Sequence, residues 1–331
     1  MKPRLNDLVA TAKVVSIPLR TKFRGLTERE LLVFEGPNGW SEWAAFTEYE
    51  DEEAATWLQA AIEWGFENLP EPVRKQVPVN AILPAVPTEE VAKVLGRAGK
   101  FATVKIKVAD PKQTTTDDLA RILETKRLYP DAKLRVDANG GYKVHQALEL
   151  LAELQSNSID LEFFEQPVAT IAELAVLRIE MSRRGQKVLV AADESVRRAS
   201  DPLAVELAGA ADLLVLKSAP LGGINSALAV ANSSKLNICA SSAMQSSIGL
   251  AAELHFAGCL PELNYDAGLG TGYLFGGDLT TDRLIPENGI LELRRPEINT
   301  SSLEILKAED HGYDWWIARL ERCSRILGLE S

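Results

Sequence analysis

From position 79 onward the chain repeats one pattern, and that repetition limits its folds more than any other feature. Short apolar runs lie at 79–83, 103–108, 134–136, 161–164, 188–192, 212–216, 236–240 and, more weakly, 263–265, their starts roughly 24 to 31 residues apart. Helix-like stretches fill most of the intervals, at 117–128, 144–154, 171–184 and 202–207. Eight strands, each followed by a helix-length segment, are the pattern of a parallel (β/α) barrel. An open doubly wound sheet is the competitor, but it calls for two halves and a glycine fingerprint. Gly268-Leu269-Gly270-Thr271-Gly272, the nearest candidate, lacks that spacing and comes late in the chain.

The first 78 residues read differently. Leu31-Leu32-Val33-Phe34 looks like a strand stopped by Gly36-Pro37-Asn38-Gly39, and Ala54, Leu58, Ala61 and Ile62 recur at helical spacing until Leu69-Pro70-Glu71-Pro72. The expected fold is therefore α/β, a modified (β/α)-barrel of the TIM type over residues 79–285, with an N-terminal α+β capping domain at 1–78. Residues 286–331, with Tyr313-Asp314-Trp315-Trp316, are expected to pack back on barrel or cap.

Composition narrows the chemistry. With 36 Lys and Arg against 47 Asp and Glu, the net charge is -11, which argues against nucleic acid or an anionic membrane as partner. Three cysteines without a CxxC pair and three histidines make Cys/His zinc chemistry and a disulfide framework poor readings. The apolar run after Leu8 breaks at Lys13, too short for a signal peptide, and no run reaches the ~20 residues of a membrane helix. A cytoplasmic enzyme or binding protein is expected.

The apolar runs end in charge. The second carries Lys105-Ile106-Lys107, and the next four end in Asp137, Glu165, Asp193 and Lys217. Catalytic groups of such barrels sit at the C-terminal strand ends. Ion pairs closing the barrel top are the plain alternative, but buried pairs are rarely a net gain in stability. Three carboxylates without His or Cys suit a hard cation, Mg²⁺ first. Lys107 and Lys217 would flank that ion, and a cation can stabilise the enediolate left when a carboxylate's α-proton departs. Lys105, two residues from Lys107, would favour its neutral amine. Arg135 shares a strand face with Asp137, as does Asn139 if the strand runs that far, and both are candidate substrate contacts.

As an ordered set, Lys105-x-Lys107, Val136-Asp137-Ala138-Asn139, Phe164-Glu165-Gln166-Pro167, Ala192-Asp193-Glu194-Ser195 and Leu216-Lys217 resemble the enolase superfamily, in its muconate-lactonizing subgroup. The resemblance implies one Mg²⁺ on Asp137, Glu165 and Asp193, acid/base lysines at 107 and 217, and Lys105 supporting Lys107. Arg135 to Asn139, the serine-rich stretch 241–250 and the compact cap point within the subgroup to a dehydratase of a small dicarboxylate. Lys107 would then act as base, Lys217 as a charge on the opposite face, and Ser242 and Gly270 are weaker candidates for holding the second carboxylate. Racemases and cycloisomerases share the same metal site and lysines, so these motifs leave the reaction open. Dipeptide epimerases carry Asp-x-Asp near strand eight, whereas Asn264-Tyr265-Asp266 has a single Asp. Phe23-Arg24-Gly25 is the candidate cap loop. A glycosidase using Glu165 and Asp193, or a non-catalytic ligand-binding barrel, are the readings from other classes. The oligomeric state stays open, a monomer being sufficient.

Overall fold

A computed structural model of the chain describes residues 3–330. The cap begins with helix α1 (Leu5–Thr11) and an antiparallel sheet of β1 (Lys13–Phe23), β2 (Leu26–Gly36) and β3 (Gly39–Trp43). Strand β1 is hidden in the sequence because Pro18, Arg20 and Lys22 interrupt its apolar pattern, and its register with β2 shifts between Pro18 and Phe23. Helix α2 (Asp51–Phe66) opens with Asp51, Glu52 and Glu53, charges that favour a helix N-terminus, and buries Ala54, Trp57, Leu58, Ala61 and Ile62.

The barrel follows as β4 (Gln76–Leu83), α3 (Val91–Leu95), β5 (Thr103–Lys107), α4 (Thr115–Leu128), β6 (Lys133–Asp137), α5 (Val144–Ser156), β7 (Leu161–Glu165), α6 (Ile171–Arg183) and β8 (Leu189–Ala192). Then come α7 (Glu194–Arg197), α8 (Ala204–Leu207), β9 (Leu213–Leu216), α9 (Ile224–Ser233), β10 (Asn237–Ala240), α10 (Ser247–Cys259) and β11 (Ala267–Gly270). Helix α4 starts where Thr114 and Asp117 form a reciprocal capping box. The parallel strands run in the order β10-β9-β8-β7-β6-β5-β4-β11, and a bridge from Ser241 to Gly268 links the two ends.

The last barrel strand corrects the sequence reading, which put it at 263–265. It lies at Ala267–Gly270, where close backbone approach outweighs apolar content. A Cβ on Gly268 would fall 2.4 Å from Ser241 Oγ, and one on Gly270 2.3 Å from the Asn80 carbonyl oxygen. The glycines rejected as a nucleotide fingerprint thus include the residues that complete the barrel.

Beyond the barrel, β12 (Ile290–Glu292) pairs antiparallel with β4, and α11 (Thr300–Leu306) leads to α12 (Asp310–Ile326). Helix α12 packs on α2, with Trp316 edge-on to Trp43 at 5.2 Å and Arg319 donating to the Phe46 carbonyl at 3.1 Å. Leu8, Trp43, Phe46, Trp57, Trp316 and Leu320 share one apolar core, so the C-terminal helix completes the cap.

Cap and barrel mouth are joined by buried polar contacts. Glu63 of α2 accepts from Asn225 N at 3.1 Å and from Ile224 N at the start of α9. Arg29 of β2 donates to the Met244 carbonyl at 3.2 Å. Among the described residues no helix is long and apolar enough to cross a membrane.

Candidate active site

Parallel register brings the strand-end charges level. Lys107 lies beside Asp137, and Asp137 beside Glu165, in successive strand pairs. Asp193 follows β8 directly and Lys217 follows β9. In the strand order, β5 and β9 flank β6, β7 and β8, so the two lysines stand on either side of the three carboxylates.

Each carboxylate is almost completely buried and meets an ammonium group. Lys105 Nζ is 2.9 Å from both Glu165 oxygens and 3.1 Å from Asp137 Oδ2. Lys107 Nζ is 2.5 Å from Asp137 Oδ2 and 2.7 Å from Asn139 Oδ1. Lys217 Nζ is 2.5 Å from Asp193 Oδ2. Asn139 also donates from its backbone to Asp137 Oδ1 at 3.0 Å and from its amide to Glu194 at 3.2 Å.

Protonation follows this layout. Burial pulls Lys107 below the ordinary lysine range, and the Lys105 charge works the same way, against the attraction of Asp137. Burial also acts on Lys105, yet Glu165 and Asp137 outweigh it and hold Lys105 firmly charged. Burial, with the neighbouring Asp137 charge, raises Glu165 to about 7 despite Lys105. Burial opposes ionisation of Asp137 and Asp193 as well, but the lysines dominate there and keep both low, Asp193 at about 2.

The donor set suits a divalent cation. Asp137, Glu165 and Asp193 offer hard oxygens, and buried Asp193 Oδ1 accepts no hydrogen bond, having only the Arg197 guanidinium at 3.4 Å. As the side chains stand, the lysines hold the space between them. Among the described residues no three acidic, histidine or cysteine side chains close on one point.

Over the charges lies a pocket with an aromatic wall from the cap, Phe23, Phe46, Tyr49 and Trp57, facing Ser241, Ser242 and Met244 of the loop after β10. No local pattern marks that wall, because its members come from three separate cap segments. Arg197 was missed too. Its guanidinium binds Glu194 at 3.0 Å and Glu53 of α2 at 3.3 Å, linking the strand-end charges to the cap. Thr271 lines the pocket with a buried hydroxyl that has no partner. Arg24, at the β1–β2 turn with a φ of 50°, reaches the pocket, stacks 4.4 Å from the Phe46 ring and pairs with no acid among the described residues.

Arg135, the other candidate contact on β6, lies apart from the pocket. It faces the barrel interior, as alternation requires, but below the pocket and outside its lining. Its guanidinium binds Glu162 at 2.6 Å, Asn80 Oδ1 at 2.9 Å and the Asp266 carbonyl at 2.6 Å, fully buried. Asp266 itself accepts from Thr103 at 2.6 Å, also away from the pocket. Ser242 does line the pocket and donates to the Gly268 carbonyl at 2.9 Å, whereas Gly270 packs on Asn80.

Fold and site together define a capped (β/α)-barrel of the enzyme type, with carboxylates and lysines gathered at its strand ends. The profile described as enolase C-terminal domain-like matches residues 88–297, and that described as enolase N-terminal domain-like matches residues 14–65. The chain is 43% identical over 325 residues to o-succinylbenzoate synthase of Mycolicibacterium smegmatis, covering 98% of each chain. It is 44% identical to the o-succinylbenzoate synthase of Mycobacterium ulcerans, covering 98% of this chain and 96% of that one. Among solved structures, muconate lactonizing enzyme from Pseudomonas fluorescens superposes with a TM-score of 0.73 at 18% identity, over 90% of this chain and 98% of that one. The 2-chloromuconate cycloisomerase of Rhodococcus opacus gives 0.73 at 19% identity over the same shares. The chain belongs to the enolase superfamily, within the o-succinylbenzoate synthase family.

Proposed function

We propose that the protein is a lyase that dehydrates 2-succinyl-6-hydroxy-2,4-cyclohexadiene-1-carboxylate to 2-succinylbenzoate, a cytoplasmic step of menaquinone biosynthesis. The observation that carries this reading is identity of 43–44% across nearly the whole chain to synthases of that name, with every strand-end lysine and carboxylate present.

Asp137, Glu165 and Asp193 would hold one Mg²⁺, which when bound supplies a Lewis acid for charge developing on the ring carboxylate. Lys107 is the base: its neutral amine takes the proton α to that carboxylate, breaking the C–H bond. The resulting ammonium returns the proton to the departing hydroxyl, so that the C–O bond breaks and water leaves as the ring becomes aromatic. Asn139 and Asp137 hold the Lys107 Nζ for this work. Lys105 stays charged between Glu165 and Asp137 and disfavours a second positive charge beside it. Lys217, across the carboxylates, contributes charge and no proton transfer.

Substrate charge suits the pocket. Arg24, Lys105, Lys107, Arg197 and Lys217 line it, with Asp137 and Glu194 as the acids of that lining and Glu165 and Asp193 behind them. With Lys107 neutral as the base, four cations face four carboxylates, and a bound Mg²⁺ would tip the balance positive inside a chain of net charge -11. Arg24, lacking an acidic partner, is placed to meet the succinyl carboxylate.

An absorbance assay for aromatisation of the cyclohexadiene tests the reading. Activity that needs Mg²⁺ and is lost in Lys107→Ala is expected; full activity in that variant would sink the mechanism.

A further inference from the structure

Lys107 is held from outside the barrel as well as from within the pocket. Arg121 of α4, fully buried, donates through Nη1 to the Lys107 carbonyl at 3.0 Å and to Asp118 Oδ1 at 2.8 Å. Its Nε donates to the Val86 carbonyl at 2.7 Å, and it also bonds Gln113, which donates to the Ala85 carbonyl at 3.0 Å. Asp118 Oδ2 accepts from the Ala109 amide at 2.9 Å and from the Tyr142 hydroxyl. One buried ion pair therefore grips the backbone on both sides of Val108 and ties it to the loops after β4 and β6.

Local strain marks the same place. Ala109 has a φ of 59°, a left-handed conformation that costs a side-chain-bearing residue roughly 1 kcal/mol or more and persists only where its surroundings impose it. Gly141 is the matching close approach, since a Cβ there would lie 2.9 Å from Ala109 Cβ. None of Asp118, Arg121 and Tyr142 lines the pocket. A buried ion pair is a weak device for stability alone, so what its hydrogen bonds position carries more meaning than its presence.

We propose that Asp118, Arg121 and Tyr142 are positioning residues that set the base Lys107 against the substrate's α-carbon. This rests on Lys107 being the base. The lysine side chain is long and flexible, so fixing its backbone fixes where the stem begins. Misplacement by about 1 Å can cost on the order of 100-fold in rate.

The test uses Arg121→Lys, which keeps the charge but loses the planar fork, and Tyr142→Phe, which removes one donor to Asp118. In Arg121→Lys, kcat is expected to fall about 10-fold with KM within about twofold, since orientation and not binding is lost. A folded variant with wild-type kcat overturns the proposal, as does a KM that rises in step with the fall in kcat. Should Arg121→Lys not fold, Tyr142→Phe is expected to lower kcat about threefold at constant KM, and wild-type kcat there overturns it. Hydrogen exchange over residues 107–113 gives a readout independent of the reaction. It is expected to speed up in Tyr142→Phe, and unchanged exchange overturns the clamp even if the wild-type protein proved to lack synthase activity, an outcome that would sink the functional reading separately.

Discussion

Glu42 of the cap accepts hydrogen bonds from the Ser246 amide, 3.2 Å from each carboxylate oxygen, and from the Gly249 amide at 3.2 Å. A cap strand thereby satisfies the N-terminus of barrel helix α10, where backbone donors lack partners within the helix. Burial nonetheless raises Glu42 to about 7, against the opposing help of Ser246 and Arg29. A carboxyl raised on folding stabilises fully below its unfolded value near 4.5, and that contribution is lost as pH rises through the folded value. The loss approaches about 3 kcal/mol for a shift of this size. Urea unfolding at pH 5 and pH 8 is expected to show Glu42→Gln gaining about 2 kcal/mol on wild type over that interval. An unchanged difference between the two proteins would refute the assignment.

In the proposed mechanism Lys107 and Lys217 have different tasks, and arginine separates them. A guanidinium keeps charge but cannot serve as a neutral base. Lys107→Arg is expected to lose about 10³-fold in kcat. Lys217→Arg is expected to stay within about tenfold, whereas proton transfer by both lysines would make the two losses alike.

Metal binding is read directly by calorimetry. Wild-type protein is expected to bind one Mg²⁺, and Asp193→Asn to weaken that binding at least about 10-fold, because a charged hard-oxygen donor is lost. Equal affinity in the variant would remove Asp193 from the ligand set. Chelation with EDTA is expected to abolish activity reversibly.

Arg24 is the test of the cap's part in recognition. Losing a charge-assisted contact worth about 1.5 to 3 kcal/mol should raise KM roughly 10- to 100-fold in Arg24→Ala with kcat little changed. Raised salt should weaken wild-type binding more than that of the variant. A KM equal to wild type would detach Arg24 from the substrate.

Much of the barrel could be read from residue order. Seven of the eight apolar runs coincide with observed barrel strands, because parallel strands covered by helices are apolar along their length. Strand eight escaped for the opposite reason: Ala267-Gly268-Leu269-Gly270 is chosen for closeness to Asn80 and Ser241, and smallness leaves no apolar signal. Strand β1 escaped because four of its eleven residues are exposed, one of them a proline.

The site divides along the same line. Sequence alone determined which charged residues stand at or next to the ends of the barrel strands, Lys107, Asp137, Glu165, Asp193 and Lys217, with Lys105 one alternation before Lys107, since strand ends and alternation are local properties. It also put Arg135 on the face of Asp137, correctly, but alternation is silent on depth. Two residues at ~3.3 Å each place Arg135 about 7 Å lower, among Glu162, Asn80 and Asp266. Only the tertiary structure decided that depth, the aromatic wall of the cap, the approach of Arg24 and Arg197, and the grip of Arg121 on Lys107. Each of these depends on contacts between segments far apart in the chain or on the exact turn of a loop, and no local pattern records them.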